Sequence, residues 1–136
     1  MREQDFLDGL LRYWQRELKL LDWELSARFC EKLSVDDRYA EIGTVPERRW
    51  AQVTVQCPDM WEDGWEDVIA NQRLKRNRVK VDRHIEVLLV HELSHLCIGW
   101  YRPYGQDEVL DLLDEQAIEM YSELLVRMKY ADRVKG

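Results

Sequence analysis

Ile85-Glu86-Val87-Leu88-Leu89-Val90-His91-Glu92-Leu93-Ser94-His95-Leu96-Cys97-Ile98 is the stretch on which the reading of this chain turns. Its apolar residues leave hardly any side of a helix polar, and such a helix belongs in the middle of a domain. Asp82 stands where an N-cap is expected for a helix beginning near Arg83. Gly99 stands where that helix should stop. Within it, His91, Glu92 and His95 form an HExxH pattern. Four residues advance a helix by about 400°, so both imidazoles leave one face a turn apart. That separation suits two corners of a tetrahedral zinc site. Glu92 lies about 100° round from His91, placed to take a proton from an attacking water and return it to a leaving amine. Burying this trio in an apolar helix with neither metal nor tight partners would cost several kcal/mol. The third histidine, His84, opens the same helix and is expected at the surface.

Two histidines leave one ligand to find. The extended pattern HExxHxxGxxH fails, because Ile98 and Tyr101 occupy its glycine and third-histidine positions. The alternative is a carboxylate on the next helix, expected over about Asp107 to Tyr130. Nineteen residues separate His95 from Glu115, enough for a loop and an antiparallel return. Glu115 is the preferred ligand, with Asp111 and Asp114 as competitors. Leu112 and Ile118 flank Glu115 and Glu119 on their side of that helix, whereas Leu110, Leu113, Ala117, Tyr121 and Leu124 form its expected core stripe. Glu119 is placed to accept a hydrogen bond from a ligand histidine and so set its tautomer. Tyr101 and Tyr104 are candidates either for an oxyanion donor or for packing.

Upstream the hydrophobic period changes twice. Leu7, Leu10, Leu11, Trp14, Leu18 and Leu21 recur at helical spacing over residues 5–21. Residues 23–29 then alternate apolar and polar, as a half-buried strand does. Shorter candidate strands follow at Tyr39 to Val45 and Ala51 to Cys57, stopped by Pro46 and Pro58. In residues 59–83, Trp61, Trp65, Val68 and Ile69 suggest a short helix or lid ahead of a basic run, Arg73 to Arg83. The expected fold class is α+β, in one domain over residues 1–136. It comprises an N-terminal helix, a three-stranded, mostly antiparallel sheet, the buried HExxH helix and a C-terminal helix.

A chain that is 46% hydrophobic and 35% charged is neither disordered nor a membrane protein. No signal peptide is expected, since charges interrupt the first twenty residues. Cys30, Cys57 and Cys97 are odd in number and lack CxxC spacing, which points to a reducing cytoplasm and to small buried hydrophobes. The net charge of −7 argues against nucleic acid as the main partner. The basic run lacks the interleaved aromatic rings of a single-strand binder.

On these residues the chain resembles the gluzincins, whose HExxH is followed by a glutamate on the next helix, with thermolysin-like spacing from His95 to Glu115. In that family a carboxylate four residues further on supports a histidine, which implies such a role for Glu119. Asp114 to Ala117 and Tyr121 to Leu125 are similar to a motif of ImmA/IrrE-type peptidases, with Ile118 where those proteins usually carry Asn. Across most of the chain the layout resembles the small phage-encoded metallopeptidases, or minimal zincins. It does so through Leu20 to Leu25, the strand around Ala51 to Val55, and Val90 to Leu96. The resemblance implies a Zn2+-dependent peptidase acting on a protein or peptide substrate, with His91, His95 and Glu115 on the metal and Glu92 as general base. The rival expectation is a zinc domain that binds a partner without catalysis.

Overall fold

The computed structural model describes residues 2–31, 33, 39–58, 78–98 and 107–135. Helix α1 spans Arg2–Glu17 and buries Leu7, Leu10, Leu11 and Trp14, the i, i+3, i+4, i+7 stripe of an amphipathic helix. It ends before Leu18 and Leu21, shorter than the apolar period suggests. The stop is a left-handed Lys19 (φ 59°). Around it, the Leu20 N–H donates to Gln15 O at 2.8 Å and the Lys19 N–H to Arg16 O at 3.1 Å. That is a Schellman cap, which usually employs glycine at the left-handed position. The buried Gln15 amide secures the exit by donating to Leu20 O and Trp23 O.

Three strands follow, β1 (Glu24–Cys30), β2 (Ala40–Val45) and β3 (Trp50–Gln56). Their order is β1-β3-β2, with β3 parallel to β1 and antiparallel to β2. The sheet is therefore mixed, and the mostly antiparallel arrangement expected from the sequence is corrected. β2 and β3 are joined by a short 3-10 turn, Pro46–Arg48, closed by a left-handed Arg49, and so must run antiparallel. β1 and β2 are not neighbours, because the last strand inserts between them. The register sets Leu25 beside Ala51 and Ala27 beside Val53 from one side, and Ile42 beside Val53 from the other. Ala51, Val53 and Val55 in the central strand are essentially inaccessible.

Helix α2 covers Arg78–Ser94 and helix α3 covers Glu108–Lys135. α1 packs on β1, α2 lies across β2 and β3, and α3 packs on α2. The core runs through α1, the sheet and α2: Leu11, Trp14, Leu25, Val53, Ile85 and Leu89 belong to one cluster. No helix among the described residues is long and apolar enough to cross a membrane.

Four local expectations change. α2 begins at Arg78, so Asp82 lies inside it and does not cap it. Asp107 takes that role for α3, its carboxylate accepting the N–H groups of Val109 and Leu110 at 3.1 Å, the usual N-cap arrangement. His84 is half-buried, edge-on to Tyr39, because the earlier helix start moves it away from the terminus. Cys30 and Cys57 are half-buried and Cys97 is exposed, so none is a fully buried hydrophobe, and they form no disulfide with one another. The proposed helix or lid at residues 59–77, Gly99, Tyr101 and Tyr104 lie outside the described residues.

Candidate metal centre

α2 carries the first two site residues. Its regular α-helical bonding ends at Ser94, and the next turn tightens: the N–H groups of His95, Leu96 and Cys97 bond three residues back, to Glu92, Leu93 and Ser94. His91 thus sits on the last α-helical turn and His95 just beyond it. Their rings remain neighbours, with centroids 5.3 Å apart at 63°. Leu89, Val90 and Leu93 anchor this end of α2 in the core, while both imidazoles are only partly covered.

α3 brings the carboxylate. Glu115 Oε1 lies 2.7 Å from His91 Nε2, and Glu115 Oε2 lies 3.3 Å from His95 Nε2. One ligand atom from each of His91, His95 and Glu115 falls within 4.8 Å of the others. Asp111 and Asp114, the competing carboxylates, are not in this convergent set. Glu119 is exposed and makes none of the described hydrogen bonds to a histidine; it acts on His91 through its charge.

The donor set fits zinc: two imidazole nitrogens and a carboxylate are ordinary ligands of a catalytic site, with a fourth position left for water. Ligand atoms about 2.0–2.1 Å from a tetrahedral ion stand roughly 3.3 Å apart. The His95–Glu115 separation already matches, and the His91–Glu115 pair would open by about half an ångström. The His91–Glu115 pair meets as a hydrogen bond. Burial pushes the His91 pKa down, but the Glu115 hydrogen bond and the charges of Glu92, Glu115 and Glu119 outweigh it and raise the value above the usual 6.5. A site that draws a proton between a ring nitrogen and a carboxylate also suits a cation. Glu92 is buried beside His91, and its charge is one of those that favour a positive neighbour there.

The helix face that presents Glu115 differs from the expected core stripe. Ile118, Ser122 and Val126 are the buried positions, with Leu125, Lys129 and Tyr130 half-buried. Leu110, Leu113, Tyr121 and Leu124 are exposed. At 100° per residue, Glu115 lies about 60° from Ile118, so burying Ile118 turns Glu115 toward α2. The expected stripe would have turned it away.

A polar cluster that the sequence reading passed over holds the helices in this register. Glu86, on α2 and only 1% exposed, accepts hydrogen bonds from Trp14 Nε1 at 2.5 Å, Lys129 Nζ at 2.6 Å and the Tyr130 hydroxyl. The Lys129 ammonium also stands over the Tyr13 ring at 4.1 Å, within cation–π reach. Glu86 thereby links α1, α2 and α3. The signal was present in the sequence: a second acid inside a nearly all-apolar helix needs a partner when buried. No protein-family model matches the chain, and no curated protein or solved structure does.

Proposed function

We propose that this chain is a cytoplasmic zinc-dependent peptidase of minimal-zincin type, cleaving a protein or peptide substrate with Glu92 as general base. The observation that carries this is the convergence of His91 Nε2, His95 Nε2 and the Glu115 carboxylate from two helices, with Glu92 buried at the adjoining position. The HExxH pattern and the resemblance to minimal zincins support the same reading. His91, His95 and Glu115 would hold the ion. When bound, zinc supplies Lewis-acid polarisation of the scissile carbonyl and acidifies a coordinated water. The Glu92 carboxylate accepts the proton that the attacking water loses as its oxygen bonds to the carbonyl carbon. As the C–N bond breaks, Glu92 delivers that proton to the leaving nitrogen, yielding a carboxylic acid and an amine. Its burial beside His91 favours short proton paths over exchange with bulk water.

One observation favours a second reading, in which the site only braces helices: the direct 2.7 Å contact between His91 Nε2 and Glu115 Oε1 joins α2 to α3. The substitution Glu92→Gln separates the two. For a peptidase it leaves zinc content and melting temperature near those of the wild type and lowers hydrolysis of a peptide library by about 10²–10⁴-fold. Undiminished hydrolysis in Glu92→Gln would remove Glu92 from the chemistry. Loss of zinc in that variant would make Glu92 part of the brace.

A further inference from the structure

α3 presents two apolar faces, and burial alone does not choose between them. The face turned to α2 carries Ile118, Ser122 and Val126. The other, with Leu110, Leu113, Tyr121, Leu124 and Met128 exposed, lies about 140° round the helix and offers more apolar surface. Hydrophobic attraction has no direction, so a directional contact must set which face meets α2. Ser122 does not supply it, because its hydroxyl bonds back to Ile118 O and Glu119 O of its own helix. α3 packs mainly against α2, and two polar anchors join them. One is Glu115 on His91 and His95. The other is Glu86, which accepts from Lys129 and the Tyr130 hydroxyl. Fourteen residues separate Glu115 from Lys129, about 40° short of four full turns. Both anchors therefore leave one side of α3, about 21 Å apart along its axis.

We propose that Glu86 and Lys129 are positioning residues of the metal centre: their buried pair fixes the face of α3 that meets α2 and so holds Glu115 against His91 and His95. The role presupposes those three residues as the ligands of the proposed zinc site. Glu86 is 1% exposed and also accepts from Trp14 of α1, so α1 and α2 fix its carboxylate without α3. Lys129 fits one spot there: its ammonium meets Glu86 at 2.6 Å and stands 4.1 Å from the Tyr13 ring centroid. The Arg83 guanidinium of α2 lies over the Tyr130 ring beside it. Turning α3 to bury its leucine-rich face would leave the Glu86 carboxylate buried without its ammonium. The same turn would carry Glu115 away from the histidines by about 140°. A bound ion and the Glu86–Lys129 pair favour one and the same face, and coupling between them is reciprocal.

Zinc affinity of the full chain, titrated in competition with a chromogenic chelator, tests this role in Lys129→Met and Glu86→Gln. Both variants are expected to bind zinc more weakly, Lys129→Met by at least about fivefold. A purely electrostatic effect would have opposite signs in the two, since removing the Lys129 cation would strengthen zinc binding. Leu25→Ala, in the buried side of β1, weakens the fold away from α3 and should leave the affinity unchanged. The face itself is read by thiol labelling in a background with Cys30, Cys57 and Cys97 replaced by Ser. With Lys129 in place, Leu113→Cys should react and Ser122→Cys should be protected. In Lys129→Met under chelator the two should exchange, and saturating zinc should restore the first pattern. Zinc affinity in Lys129→Met equal to or above that of the wild type overturns the proposal. So does a labelling pattern that Lys129→Met leaves unchanged, or one in which both cysteines react, which is fraying of α3 and not a turned face. A wild type that binds no zinc overturns the metal reading instead, and labelling under chelator still decides whether the pair sets the face.

Discussion

Replacing Glu86 by Leu tests whether the buried polar cluster holds α3 in register with α2. Glu86 is 1% exposed, and its partner Lys129 has a side chain only 11% exposed. The substitution leaves a largely buried ammonium without its anion, and takes the acceptor from the Trp14 indole and Tyr130 hydroxyl. Breaking one side of a buried pair typically costs about 3–5 kcal/mol. The Tyr13 ring under Lys129 offsets part of that, up to about 2 kcal/mol for a desolvated cation–π contact. Loss of the two hydrogen bonds that Trp14 and Tyr130 donate to the carboxylate adds about 1.5 kcal/mol each, the low end for a charged acceptor. The expected net loss is about 5 kcal/mol, a large share of a typical stability of about 5–15 kcal/mol. Lys129→Met should cost less, about 2 kcal/mol, since Glu86 keeps two donors. The double variant Glu86→Leu/Lys129→Met should lose less than the sum of the singles, because no uncompensated charge remains. Urea unfolding followed by far-ultraviolet circular dichroism, in chelator so that metal linkage does not contribute, measures all three. A Glu86→Leu loss below about 1 kcal/mol, or strict additivity in the double variant, would refute the reasoning.

Three further outcomes are expected. Glu115→Ala should weaken zinc binding by tenfold or more, and far more than Asp111→Ala or Asp114→Ala, in competition titrations with a chromogenic chelator. Removing zinc with chelator should lower the melting temperature, and adding it back at about 1,000 times its dissociation constant should restore about 4 kcal/mol; calorimetry reads both. Burial lowers the His84 pKa from 6.5 to about 4, so unfolding takes up a proton between those values. The stability that neutral His84 contributes is complete above about pH 6.5 and is lost as pH falls toward 4, to a total of roughly 3 kcal/mol. In metal-free protein, the stability difference between wild type and His84→Gln should therefore change across that window and level off outside it.

Periodicity and local chemistry made much of this chain legible. The helical stripe of Leu7, Leu10, Leu11 and Trp14 and the alternation in Ala51, Val53 and Val55 are written into consecutive residues, and the burial pattern follows them. HExxH placed two imidazoles one turn apart by helix geometry alone, and the spacing to Glu115 offered a carboxylate on a returning helix. Three things were decided only by tertiary structure. Strand adjacency was one: whether β3 pairs with β1, β2 or both depends on long-range insertion, and alternation within a strand is blind to its neighbours. Another was the end of α1, where Lys19 adopts the left-handed conformation usually given to glycine. The surrounding Gln15 and Leu20 contacts hold it there, and no terminator residue announces it. The last was the working face of α3. That helix carries two apolar seams, and local sequence cannot rank them. Partners elsewhere in the chain, Glu86 for Lys129 and Tyr130 and the two histidines for Glu115, select the face bearing Ile118 and Ser122. Buried charges must meet their counterparts, whereas an apolar stripe tolerates water or waits for a second surface.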